Sequence, residues 1–165
     1  MGALEHWSEF NVAIVGAAGA LAGLLIVALS VNIAQIVSSR QLIARAATSI
    51  AALLLAVVAC AIGLMPGQSP LAYGIEIVVA GLIAGAFGVH AIRPIMANDD
   101  GAPNVAARVL KIAVGLLPAV LAVAAGIAVL TGAVDAGLAL VAASAIVAIV
   151  GSVFLAWVAL VEVLR

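Results

Sequence analysis

The 165-residue chain is 68% hydrophobic and only 8% charged, whereas soluble domains are about 45–50% apolar and about 25% charged. A net charge of −1 provides no basic surface for nucleic acid, and a single cysteine, Cys60, excludes an intramolecular disulfide. The composition therefore predicts a protein whose apolar surface faces a lipid bilayer.

Five apolar runs follow one another along the chain, with polar or proline-containing breaks between them. They cover residues 11–36, 46–64, 71–92, 105–130 and 136–164. A hydrocarbon core of about 30 Å takes roughly 20 helical residues to cross, and backbone groups inside it must be paired within the segment. The sequence predicts an all-α, polytopic membrane protein in which residues 1–165 form one domain of five transmembrane helices.

Glycines in the first and third runs carry the spacing of close helix contacts. The stretch VAIVGAAGALAG at 12–23 also suggests a dinucleotide-binding loop. That loop needs the strand to end and an acid about 20 residues later, but no acid lies between Glu9 and Glu76. Small residues four apart instead favour helix packing, which we predict for Gly19, Gly23, Gly81 and Gly85.

Two groups of polar residues lie within or beside the runs. Asn32 and Gln35 share a face near the end of the first run. There they form a polar vestibule or a partner contact, or else they only make hydrogen bonds between helices at a fraying helix end. Glu76 follows Gln68 at the start of the third run. An intramembrane acid is a candidate functional site, but an acid near a helix N-terminus also favours the helix dipole, and both interpretations stay open.

Breaks and caps follow from local chemistry. Residues 93–104 form the longest polar stretch, and Pro118 is expected to bend the fourth helix. Asn104 and Asp135 are plausible N-caps of the last two helices.

The basic residues predict the orientation. With five helices, all six fall on one side of the membrane, and the acids Glu5, Glu9 and Asp135 fall on the other. The positive-inside rule then places the N-terminus outside and the C-terminus in the cytoplasm. The aromatic residues are expected at the two interfaces, with Trp7, Phe10 and Tyr73 outside and Trp157 inside. The six basic residues are Arg40, Arg45, Arg93, Arg108, Lys111 and Arg165.

No residue pattern indicates an enzyme, a metal site or a cofactor. His6 and His90 fall on opposite sides of the predicted bilayer, so they cannot ligate one haem iron. The sequence therefore predicts no catalytic residues, no metal and no cofactor.

The first helix resembles a family of small multi-span membrane proteins common in actinobacteria, often labelled modulators of the membrane-bound protease FtsH. The similarity rests on GAAGALAGLLIVALSVN at 16–32, the following Arg40 and Arg45, the PGQ turn at 66–68, and Glu76 in the next helix. The resemblance implies a multi-pass protein of the bacterial cytoplasmic membrane with a regulatory partner.

The expected function is that of a non-enzymatic integral membrane protein acting through partners. It would be an accessory subunit of a membrane complex or a homo-oligomer, in contact with the lipid bilayer and not with nucleic acid. The alternative is a small channel or transporter with a polar site near Glu76 and Asn32.

Overall fold

The computed structural model describes residues 3–31, 33–38, 40–97 and 105–163, and every regular element in these ranges is a helix. The all-α prediction is confirmed for this part of the chain. The helices are α1 Ala3–His6, α2 Ser8–Val31, α3 Ile33–Ser38, α4 Arg40–Gly63, α5 Pro70–Ala97, α6 Val105–Leu130 and α7 Val134–Val163.

Among the described residues, four segments are long and apolar enough to cross a bilayer, which supports a membrane protein. They are Ser8–Val31, Leu42–Gly63, Pro70–Ala91 and Val134–Phe154. In α6, which has 26 residues, the side chains are described only from Gly115 onward, and Gly115–Leu130 is apolar throughout.

Helix α4 lies at the centre of the bundle. It packs against α2, α5, α6 and α7, and further contacts join α5 to α6, α6 to α7, and α7 to α2. Two apolar clusters result. One contains Leu55 of α4 with residues of α5, α6 and α7, and the other contains Leu53 of α4 with residues of α2 and α7.

The long helices run antiparallel to their neighbours in sequence, so both short connections lie at one end of the bundle. These are the turns at 64–69 and 131–133, and α1 lies at the same end, where Leu4 and Glu5 line a cavity together with the first turn. We call this the turn end, and the opposite one the far end.

Several helices extend beyond the predicted apolar runs because apolar composition marks only the part of a helix that suits hydrocarbon. α4 begins at Arg40 and not at 46, and α5 continues to Ala97 and not only to 92. Pro94 lies inside α5 and removes one helical hydrogen bond, yet the helix continues through it. The first run covers most of α2 and the start of α3, which lie on either side of residue 32, outside the described residues.

The predicted cap at Asp135 was also wrong. α7 begins at Val134, and the N–H of Gly137 donates to the carbonyl of Ala133 at 2.9 Å. Asp135 therefore lies in the first turn, where its charge still favours the helix dipole. Asn104, the other predicted cap, lies outside the described residues.

Candidate functional site

The sequence PGQSP at 66–70 builds the turn between α4 and α5. Gly67 has a φ of 73°, a backbone conformation that glycine adopts without steric cost. Ser69 caps α5, since its hydroxyl accepts the N–H of Ala72 at 3.2 Å. Pro70 takes the first helical position, where a missing N–H is tolerated. The turn thereby holds Gln68 beside the start of α5.

The structure brings Gln68 and Glu76 together. The Gln68 Nε2 donates to the Glu76 Oε2 at 2.5 Å, and the pair is partly buried. Ser69 already caps α5, so Glu76 is not its cap. Glu76 lies in the second turn of the helix, and Gln68 is its side-chain partner. This geometry meets the requirement of the site interpretation, a shielded carboxylate beside Gln68, while the functional role of Glu76 stays a prediction.

A cavity of about 290 Å³ lies beside this pair at the turn end. We call it the turn-end cavity. Its polar lining comes from Glu5, Ser8 and Gln68, and none of the described residues that line it is basic. Glu76 lies next to the cavity, since Gln68 donates a hydrogen bond to its carboxylate. The remaining lining residues are Leu4, Gly63, Leu64, Met65, Pro66, Gly67 and Pro70.

Two buried polar residues lie below this cavity, between α2, α4 and α5. Tyr73 is fully buried, and its hydroxyl donates to the carbonyl of Ala59 at 3.4 Å. Its ring therefore packs inside the bundle, and its position near the outer interface stays a prediction. The Asn11 side chain is also buried, and its Nδ2 has no acceptor among the described residues.

The Asn11 side chain also leaves no room for a larger residue than glycine at position 63, the end of α4. A Cβ on Gly63 would lie 2.8 Å from the Asn11 Nδ2, closer than van der Waals contact. Sequence reasoning treated Asn11 only as the start of an apolar run. Its helical spacing with Ile14 and Ala18, which are buried on the same face, was a signal that could have found it.

The other two predicted polar side chains, those of Asn32 and Gln35, lie outside the described part of the chain. Asn32 lies outside the described residues. Gln35 belongs to α3, but its side chain is outside the described part. A meeting of these two residues with Glu76 therefore stays a prediction.

The four predicted packing glycines fall into two pairs. A Cβ on Gly81 would lie 2.8 Å from the Val123 Cγ2, and one on Gly85 would lie 3.6 Å from the Ala119 Cβ. Both glycines of α5 therefore face α6. For Gly19 and Gly23 of α2, no atom of the described chain lies within 4 Å of the corresponding position.

Two serine hydroxyl groups of α7 join three helices, and sequence reasoning missed them. The Ser144 Oγ donates to the carbonyl of Pro118 at 2.7 Å and joins α7 to α6. The Ser152 Oγ donates to the carbonyl of Ser49 at 3.3 Å and joins α7 to α4. Isolated serines in an apolar helix show no helix partner in the sequence, because either face can be the buried one.

Within the described residues, no three His, Cys, Asp or Glu side chains come together as metal ligands. Comparison of the chain with protein-family models, with curated proteins and with solved structures finds no match.

Proposed function

We propose that this is an integral membrane protein that works by helix contacts with other chains, as a homo-oligomer or as an accessory subunit of a membrane complex. The observation that carries the proposal is the glycine face of α2, which is turned away from the rest of its own chain. Gly16, Gly19 and Gly23 are all exposed, and none has a described neighbour within 4 Å of its Cβ position.

The two sides of α2 differ in side-chain size as well as in exposure. Its buried side carries Asn11, Ile14, Ala18, Ala22 and Leu25. On the opposite side, Gly16 and Gly23 are seven residues apart and project within about 20° of each other. Lipid chains gain nothing from a glycine groove, whereas a second helix can approach it closely and gain van der Waals contact.

The proposal includes five spans, with α6 as the fourth. Helix α6 has 26 residues, which is enough for a core of about 30 Å. It packs lengthwise between α5 and α7. The charge distribution supports a cytoplasmic far end, since Arg40 and Arg45 begin α4 there, whereas Glu5 and Glu9 lie at the turn end.

Cysteine labelling tests the five spans and the orientation. In a Cys60→Ala background, a cysteine at position 8 is expected to react with an impermeant maleimide in intact cells, and one at position 102 only after lysis. Labelling of position 102 but not of position 8 in intact cells would overturn the orientation, and labelling of both positions would overturn the span number.

The resemblance at 16–32 supports a bacterial cytoplasmic membrane as the location. It also suggests a membrane protease of the FtsH type as the complex to be regulated. The outward glycine face lies within these same residues, so the partner contact and the resemblance involve one helix.

The experiment is a double substitution with a matched control on the same helix. Gly19→Leu with Gly23→Leu fills the groove, whereas Ala17→Leu with Ala28→Leu places two leucine side chains roughly 100–120° away from Gly16. Association is measured by single-molecule photobleaching in liposomes and by copurification from native membranes. We expect the first pair to weaken association about tenfold or more, a loss of about 1.4 kcal/mol, and the control pair to leave it unchanged. Equal association of all three proteins would contradict the proposal.

A cation channel or transporter is the second candidate, and the Gln68–Glu76 hydrogen bond favours it. This pair places a carboxylate beside the turn-end cavity, and a carboxylate within a membrane protein is a candidate ion-binding group. Cation flux through liposomes that contain the purified chain is the measurement, and flux that requires Glu76 would move this candidate ahead of the first.

A further inference from the structure

A small polar cavity lies inside the bundle near the far end, between α4, α6 and α7. Its volume is about 40 Å³, and its lining includes Thr48, Ser49, Gly115, Pro118 and Ser152. We call it the far-end cavity. Thr48 is six residues into the apolar span that begins at Leu42, so the cavity lies about 9 Å along the helix from that end.

Two of the three hydroxyl groups that line this cavity, those of Thr48 and Ser152, donate to backbone carbonyls. The Thr48 Oγ1 donates to the carbonyls of Ala44 at 3.0 Å and Arg45 at 2.9 Å. The Ser152 Oγ donates to the carbonyl of Ser49 at 3.3 Å. Each hydroxyl has one proton, so both oxygens retain lone pairs and act towards the cavity as acceptors.

The proline in α6 adds a further acceptor. Pro118 has no N–H, so the carbonyl of Val114, four residues earlier, loses its helical donor. Ser144 donates to the carbonyl of Pro118 itself and so does not replace that donor. Gly115 and Pro118 both line the cavity, which places the broken helical turn at its wall.

An acceptor-rich cavity needs a ligand that donates hydrogen bonds. Among the residues that the structure describes, the lining has no carboxylate and no other charged side chain, and a cation held there without a counter-charge would bear a large desolvation cost. Water donates two hydrogen bonds and carries no charge. A site needs about 10–15 Å³ and two to four polar partners to hold one water molecule, and the far-end cavity has that room.

We propose that the far-end cavity is a hydration site, in which ordered water donates to Thr48, to Ser152 and to the carbonyl that Pro118 leaves open. The water joins α4, α6 and α7 where the hydrogen bonding of α6 is interrupted. It thereby allows a proline within the apolar part of the bundle.

The threonines provide the experiment, because the chain has only Thr48 and Thr131. Protein labelled with ¹³C-threonine is placed in lipid bilayers, and magnetisation transfer from water is measured by solid-state NMR. Thr131 is exposed at the turn end and is the positive control, and ¹³C-labelled Leu53, fully buried, is the dry reference. We expect Thr48 to receive water magnetisation directly, well ahead of Leu53. Transfer to Thr48 as slow as to Leu53 would overturn the proposal.

Two variants test whether the water magnetisation that reaches Thr48 comes from the far-end cavity. Ser152→Val fills it with apolar atoms and is expected to bring Thr48 to the transfer rate of Leu53. Ser152→Ala removes only the hydroxyl and is expected to reduce the transfer partly. Unchanged Thr131 shifts show that the fold is retained. Wild-type protein is also measured in sodium and in choline buffers, and a Thr48 shift that requires sodium would assign the cavity to a cation and overturn the hydration site.

Discussion

Helices α2 and α5 carry the same glycine spacing, but the glycines of α5 face a helix of the chain and those of α2 face outward. In α5, a Cβ on Gly81 would meet the Val123 backbone nitrogen at 3.0 Å and the Ala119 carbonyl oxygen at 3.2 Å. In α2, Gly19 and Gly23 face away from every described residue. The comparison shows that the spacing marks a face that a helix can approach closely, but not which helix approaches it.

The buried neighbours of each glycine pair account for the difference. Ile77 of α5 and Ala122 of α6 belong to the same apolar cluster, so the glycines of α5 lie along a contact within the chain. The larger side chains of α2, among them Ile14 and Leu25, already fill its contact with α4 and α7. Its glycines lie on the other side and are available to a second chain.

The largest loss of stability is expected from a substitution that disrupts the contact between α5 and α6. Gly81→Ala places a methyl group against the backbone of α6, and overpacking of this kind costs about 1–3 kcal/mol. Gly19→Ala is the matched control, since its methyl group meets no atom of the chain. Unfolding of the purified chain in mixed detergent micelles measures both. Equal stability of the two variants would show that α5 and α6 are not in close contact at Gly81.

A smaller effect is expected where a hydroxyl group joins two helices. The Ser144 Oγ reaches from α7 to the Pro118 carbonyl, whereas the Ser30 Oγ bonds to the carbonyl of Ile26 within α2. Ser144→Ala is expected to lower the free energy of unfolding by about 0.5–1.5 kcal/mol, and Ser30→Ala to leave it nearly unchanged. The same micelle titration compares them, and a greater loss from Ser30→Ala would contradict the assigned helix contacts.

The smallest effect on stability is expected at the acids of the turn end. Glu76→Gln retains the shape of the side chain and its contact with Gln68, so the change in stability is expected to be about 1 kcal/mol or less. Glu9→Gln removes an exposed carboxylate and is the control.

Cation flux through liposomes separates the two functions at these positions. If the protein is a channel or transporter, Glu76→Gln is expected to lower the cation flux and Glu9→Gln to leave it unchanged. If the protein acts only through contacts with partner helices, no flux is expected from the wild type or from either variant. Flux that is equal in the wild type and both variants would exclude Glu76 from the conducting site.

The turn at 66–70 shows how far local sequence can predict a site. Proline, glycine and serine have intrinsic backbone and capping preferences, so the turn, the start of α5 and the approach of Gln68 to Glu76 depend on residues close together in sequence. Asn11, Tyr73 and Ser144 could not be placed in this way. Their partners lie on other helices, and the sequence does not show which side of a uniformly apolar helix is buried.

Composition and hydropathy by themselves determined that the chain is helical and suited to a bilayer, because a segment of apolar residues in lipid must pair its own backbone groups. The sequence also determined where small residues make close approach possible. Only the tertiary structure decided that Gly81 faces α6 and that Gly19 faces outward. That choice depends on the shapes of all the contacting helices together, since hydrophobicity does not distinguish a helix side that faces lipid from one that faces another helix.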